Sequence, residues 1–92
     1  MKTILGVQMR AARALLRWSA SDLAHHSGVS LSTISRAETV DGETTMTFPN
    51  AEAIRRAFES AGVEIIDEEK AGPGARFRQP LPKNVREPKK PQ

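Results

Sequence analysis

Apolar residues recur at helical spacing near the start of the chain, at four positions that share one helix face: Leu5, Met9, Ala12 and Leu16. This spacing predicts a first helix over 4–16. A second group of apolar residues would widen that face: Val7, Ala11, Ala14 and Leu15. Gly6 lowers the helix propensity of the first turn, so we expect the ordered start nearer Val7.

Two serines begin two short helices, which we predict over 20–27 and 31–37. Ser19 is a favourable N-cap residue, and Asp22 three positions later completes a capping box with Asp in place of the usual Glu. Ser30 opens the second helix in the same way. Since each cap contributes about 1 kcal/mol, these two signals define where the helices start.

Three residues in these helices and in the turn that joins them have the spacing of a helix-turn-helix. Ala24 is small, so the second helix can cross close over the first. Gly28 can adopt the positive φ that the chain reversal needs. Ile34 supplies an apolar side chain at the crossing point. We therefore predict a helix-turn-helix over 18–38.

A polar connection over 39–47 leads to a fourth helix. Thr47 or Asn50 is its expected N-cap, and Pro49 is tolerated in the first helical turn. Its core face is predicted from five residues: Ala53, Ile54, Ala57, Phe58 and Ala61. Gly62 ends the helix.

Two β-prone runs flank a Gly-Pro loop and predict a C-terminal β-hairpin. Because a lone hairpin is only marginally stable, it must pack on the fourth helix or on a partner chain. From Gln79 the chain holds four prolines and few apolar residues, which predicts a disordered basic tail. The fold is thus predicted to be mostly α, in three parts: a helical domain over 1–62, a hairpin over 63–78 and a tail over 79–92.

Composition limits the possible chemistry. The 92 residues contain no cysteine, which excludes disulfides, thiolate metal sites and a cysteine nucleophile. His25 and His26 are adjacent and point to different sides of a helix, so we expect two surface residues and no metal site.

No catalytic constellation is recognisable, so we expect no enzyme activity and no cofactor. No apolar run approaches the ~20 residues of a membrane span, and we expect a cytoplasmic protein with no membrane partner.

The net charge of +3 is unevenly distributed along the chain. Residues 1–36 carry +4 from five basic side chains and one acidic side chain, and residues 71–92 carry +5. The segment between them, 37–70, carries −6. A basic segment around the predicted helix-turn-helix favours nucleic-acid binding.

One set of residues resembles a known family in register: Leu23-Ala24, Gly28-Val29-Ser30, Thr33-Ile34-Ser35-Arg36 and Glu38. The resemblance is to the helix-turn-helix regulators similar to phage repressor and Cro proteins, the XRE family, and it covers about 8–62. It implies a lambda-repressor-like four-helix domain. It also implies a sequence-specific transcriptional regulator, a repressor, that binds double-stranded DNA as a homodimer on half-sites about 34 Å apart. The hairpin is our candidate for part of the dimer contact.

The resemblance also implies which residues meet DNA. The helix over 31–37 would enter the major groove, with Arg36 as the strongest base-contact candidate because its guanidinium fork matches guanine O6 and N7. Ser32 can reach a base edge or a phosphate, and Leu31 can contact a thymine methyl group. The other candidates carry hydroxyl groups: Ser30, Thr33 and Ser35. Of these, Ser30 and Ser35 fit phosphate contacts or capping better than base contacts.

In the family, an Arg of the first helix pairs with a Glu at the end of the recognition helix. The matching residues are Arg13 and Glu38, and we expect a largely buried structural salt bridge between them. The family usually has Gln at the first position of the second helix, where this chain has Ala20. That departure removes one expected anchor to the DNA backbone.

Two other functions use the same fold. An antitoxin of a toxin–antitoxin pair would bind DNA by the same motif and hold a toxin with its hairpin or tail. A protein–protein adaptor would use the helices without DNA, and the departure at Ala20 and the acidic middle segment leave that alternative open.

Overall fold

In a computed structural model, which describes residues 4–67 and 71–81, the chain forms a small, mostly helical domain followed by a β-hairpin. The elements in chain order are α1 (Gly6–Leu16), α2 (Ala20–Ser27), α3 (Leu31–Ala37), α4 (Phe48–Ser60), β1 (Val63–Ile66) and β2 (Gly74–Phe77). The mostly α architecture with a C-terminal hairpin is confirmed. Most of the predicted disordered tail, 82–92, lies outside the described residues.

The serine caps define α2 and α3 with the predicted bounds. Ser19 Oγ accepts from the Asp22 backbone N–H at 3.0 Å, and the Asp22 carboxylate accepts from the Ser19 backbone N–H at 2.8 Å. These hydrogen bonds lower the pKa of Asp22, the one from the Ser19 backbone most strongly. Ser30 Oγ accepts from the Thr33 backbone N–H at 3.3 Å. Gly28 between the helices has φ +77°, as the predicted chain reversal requires.

The start of α1 differs from the prediction. The helix begins at Gly6 itself, and Gly6 is buried. Its N–H donates to the Gly42 carbonyl at 2.9 Å, and the Val7 N–H donates to the Asp41 carbonyl at 3.1 Å. Two of the four N–H groups that a helix start leaves unpaired are therefore satisfied by the connection after α3. The helix starts at Gly6 despite the low helix propensity of glycine, because a Cβ atom at this position would lie 1.9 Å from the Val40 carbonyl oxygen.

The apolar face of α1 is narrower than predicted. Met9 and Ala12 are buried as expected, but Val7, Ala11 and Ala14 are exposed. Part of the expected face is taken by Gln8, whose side chain is buried. The residues spaced strictly at three and four positions supply the face of α1 that packs on the core. The additional alanines and valine lie beside that face.

Gln8 joins α1 to the hairpin. Its side-chain carbonyl accepts from the Leu5 N–H at 2.9 Å, so it caps the helix start, where a capping Ser, Thr, Asp or Asn is missing. Its amide nitrogen donates to the Ile66 carbonyl at 2.8 Å and to the Gly74 carbonyl at 3.2 Å. A buried amide with these partners satisfies backbone groups at the loop end of both strands.

Within the part of the chain that the structure describes, all four helices and β1 form a single core. Thirteen apolar residues are buried in it: Ile4, Met9, Ala12, Leu23, Val29, Ile34, Ala37, Ala51, Ile54, Ala57, Phe58, Val63 and Ile65. On α4, Ala51 is buried, whereas the predicted core residues Ala53 and Ala61 are only half-buried. Thr47 is the N-cap of α4, accepting from the Asn50 N–H at 3.4 Å, with Pro49 in the first turn.

The hairpin packs on the helices. β1 and β2 are antiparallel, with Val63 opposite Phe77 and Ile66 opposite Gly74. β1 contacts α4 and α1, and β2 contacts α1. Of the two supports predicted for the hairpin, the fourth helix or a partner chain, the structure shows the fourth helix, and α1 is a further support. Within the described residues, no helix has both the length and the apolar character needed to cross a bilayer.

Candidate nucleic-acid interface

α3 has one buried side and one exposed side. Ile34 and Ala37 point into the core and are 0% and 4% exposed. The opposite side carries four of the residues that the sequence singled out, all of them exposed: Leu31, Ser32, Ser35 and Arg36. α3 packs against α2, and this contact holds the exposed side outward.

The two other hydroxyl candidates serve the start of α3. Ser30 Oγ donates to Thr33 Oγ1 at 2.8 Å and also accepts from the Thr33 backbone N–H. Thr33 is half-buried. Ser32 Oγ lies 3.4 Å from Ser30 Oγ, at the edge of the same small network. These hydroxyls fix the first turn, while Ser35 lies outside this network on the exposed side.

Arg36 is exposed in the last turn of α3. Within residues 4–67 and 71–81, its guanidinium has no hydrogen-bond or ion-pair partner. Its backbone, in contrast, is well held, because its carbonyl accepts from the Thr39 N–H at 3.2 Å and from Thr39 Oγ1 at 2.7 Å. A fixed backbone with a guanidinium that is unpaired among the described residues suits a residue that binds an external acceptor.

A shallow cavity of about 190 Å³ lies beside Arg36. It is lined by residues of α3, the following connection and the first turn of α4: Thr33, Arg36, Ala37, Thr45, Met46, Thr47 and Asn50. Sequence reasoning assigned Thr33 and Arg36 to the site but not Thr45, Thr47 and Asn50. The available signal was the threonine-rich connection that ends at the N-terminus of α4, where donors to an anion are common.

Arg13 and Glu38 form the ion pair expected from the sequence. Arg13 Nε donates to one carboxylate oxygen at 2.8 Å and Nη2 donates to the other at 2.6 Å, while Nη1 donates to the Trp18 carbonyl at 2.9 Å. The side chains are 21% and 9% exposed. The hydrogen bonds with Glu38 raise the pKa of Arg13, although burial works in the opposite direction. The pair connects α1, the start of α2 and the end of α3.

The two histidines are on the surface, as predicted. The His26 ring stacks on Trp18, with ring centroids 4.3 Å apart and planes 6° apart, and His25 meets the His26 ring edge-on. This aromatic stack was not predicted. In the described part of the chain, no group of three or more His, Asp or Glu residues is arranged to hold a metal ion.

No protein-family model matches this sequence, and no curated protein matches it. The case for a function therefore comes from the residues and their geometry.

Proposed function

We propose that this protein is a sequence-specific DNA-binding regulator of transcription, in which α2 and α3 form the helix-turn-helix of an XRE-type, lambda-repressor-like domain. The observation that carries the proposal is the state of Arg36: its backbone is fixed in the last turn of α3, and its guanidinium is exposed and without a partner in the described residues. A guanidinium presented on a helix can bind guanine O6 and N7 in the major groove.

The surroundings of Arg36 suit a phosphate backbone. Ser32 and Ser35 are exposed hydroxyls on the same side of α3. Thr45 and Asn50 line the adjoining cavity and can donate to phosphate oxygens. The net charge of +4 over 1–36 would add an attraction that weakens with salt.

We further propose that the protein acts in the cytoplasm as a homodimeric repressor, without a catalytic reaction. A two-fold dimer would place two copies of α3 about 34 Å apart, one turn of B-DNA. The hairpin can contribute to such a contact, because its sheet has two strands and each strand therefore has one edge without a strand neighbour in the described residues.

Replacing Arg36 with alanine is the experiment that tests this function. We expect binding to a duplex selected by the wild-type protein to weaken by about 1–3 kcal/mol, with relaxed preference at the contacted base pair. The loss of binding should persist at each of several salt concentrations, because the substitution removes a bidentate base contact as well as a charge. Fluorescence anisotropy measures it.

Arg56→Ala is the matched control. Arg56 is an exposed arginine of α4 that lines a different groove, with Trp18 and His26. The Arg56→Ala substitution removes the same charge, so we expect a small loss of affinity that is equal for selected and unrelated duplexes. Equal effects of the two substitutions would remove Arg36 from base recognition.

A further inference from the structure

We propose that Arg10 is a positioning residue for Arg36: it holds the C-terminal end of α3 from outside that helix. This inference rests on the proposed function for its consequence at DNA. The contact itself is a property of the free protein and can be tested there.

One guanidinium binds three residues that follow α3. Arg10 Nη1 donates to the Glu38 carbonyl at 2.5 Å and to the Val40 carbonyl at 3.1 Å. Its Nη2 pairs with the Asp41 carboxylate. Arg10 therefore contacts the segment over 38–41 through two backbone carbonyls and one side chain.

The end of α3 needs such a partner. α3 has seven residues, which is too short to be stable alone, and the carbonyl of its C-cap residue Glu38 is one of the end carbonyls that have no partner within a helix. These carbonyls carry partial negative charge, so a cation is favourable there. Arg36 lies in this last turn, two residues before Glu38, and its direction depends on the turn staying closed.

Arg10 and Arg13, one turn apart on α1, divide the contact with Glu38. Arg13 binds the Glu38 side chain, and Arg10 binds its backbone carbonyl. Arg10 is 36% exposed and Asp41 is 85% exposed, so their ion pair contributes little to stability. The carbonyl contacts are what Arg10 adds to the end of α3. Nη1 makes both of them while Nη2 holds Asp41, so the three contacts together use both terminal nitrogens of the guanidinium, and lysine has only one such nitrogen.

Arg10→Lys tests this role because it keeps the charge and removes the fork. Arg17→Lys is the matched control: Arg17 is an exposed arginine just after α1 whose side chain has no hydrogen bond or ion pair within the described residues. In the free full-length protein, we expect the amide protons of Glu38 and Thr39 to exchange about fivefold faster in Arg10→Lys and unchanged in Arg17→Lys. Both amides donate to carbonyls of α3, those of Ile34 and Arg36.

Two exchange results would overturn the inference. One is wild-type exchange at both amides in Arg10→Lys. The other is faster exchange at every slowly exchanging core amide to the same extent, which would indicate a general loss of stability without a local role.

Binding to DNA supplies the second readout. We expect Arg10→Lys to weaken binding to the selected duplex about tenfold, with the same affinity for an unrelated duplex and the same salt dependence, because the charge is kept. Arg17→Lys should change neither. Faster exchange with unchanged specific affinity would contradict positioning of Arg36. If the wild-type protein shows no sequence preference, the proposed function fails, while the exchange result still decides whether Arg10 holds the end of α3.

Discussion

Replacing Glu38 with alanine is expected to destabilise the protein by about 3 kcal/mol, the lower end of the range for breaking a buried ion pair on one side, because Arg13 and Glu38 are half-buried. Arg13 would keep its charge with only 21% of its side chain exposed and without the two hydrogen bonds that the carboxylate accepts. The hydrogen bond from Arg13 to the Trp18 carbonyl would remain. Urea unfolding followed by circular dichroism measures the change.

Glu64→Ala is the control for this substitution. Glu64 also pairs with an arginine, Arg76 on the neighbouring strand, but these side chains are 42% and 68% exposed. An exposed pair is worth about 0–1 kcal/mol, so we expect a small effect. If Glu38→Ala costs no more than Glu64→Ala, the pair with Arg13 does not hold the end of α3 in place.

Replacing Gly6 with alanine is expected to cost about 3 kcal/mol, in the upper part of the range for overpacking. A Cβ atom at Gly6 would lie 1.9 Å from the Val40 carbonyl oxygen and 2.9 Å from the Ala37 carbonyl oxygen. Both are backbone atoms, so relief requires α1 to move away from the segment that follows α3. The hydrogen bond from the Gly6 N–H to the Gly42 carbonyl would weaken as well. The same unfolding measurement applies.

Gly42→Ala separates this contact from the general effect of removing a glycine. A Cβ at Gly42 meets nothing within 4 Å, and its φ lies outside the positive range. We expect a change within about 0.5 kcal/mol, in the stabilising direction if alanine fits without strain. A loss at Gly6 no larger than at Gly42 would mean that the close approach of α1 to the Val40 carbonyl does not constrain the fold.

Local signals explain why α2 and α3 were predictable from the sequence. Ser19 and Ser30 accept hydrogen bonds from residues three positions later, so the information that starts each helix lies within one turn of it. Gly28 takes the positive φ that a turn needs. Ile34, predicted to lie at the crossing point of the two helices, is buried, and Arg36 on the opposite side of α3 is exposed.

Long-range contacts explain what could not be predicted. From the sequence, Gly6 indicates a weak helix start, and only the structure places the Val40 carbonyl beside it. Gln8 reads as a surface residue, although its side chain is buried against carbonyls of the hairpin more than fifty positions away. Arg10 had no assigned role beyond its charge, because its carbonyl partners after α3 follow only from how α1 crosses that segment. None of these contacts leaves a periodic pattern in the sequence.

The proposed function requires that α3 presents Arg36 to base edges in the major groove. The most direct measurement is a selection of bound duplexes from a pool of random sequence, with the full-length protein at physiological salt. We expect an enriched motif of two related half-sites whose centres are about one helical turn apart, with a guanine that is lost from the motif when the Arg36→Ala variant is used. A pool that remains random after selection, or the same motif from both proteins, would contradict it.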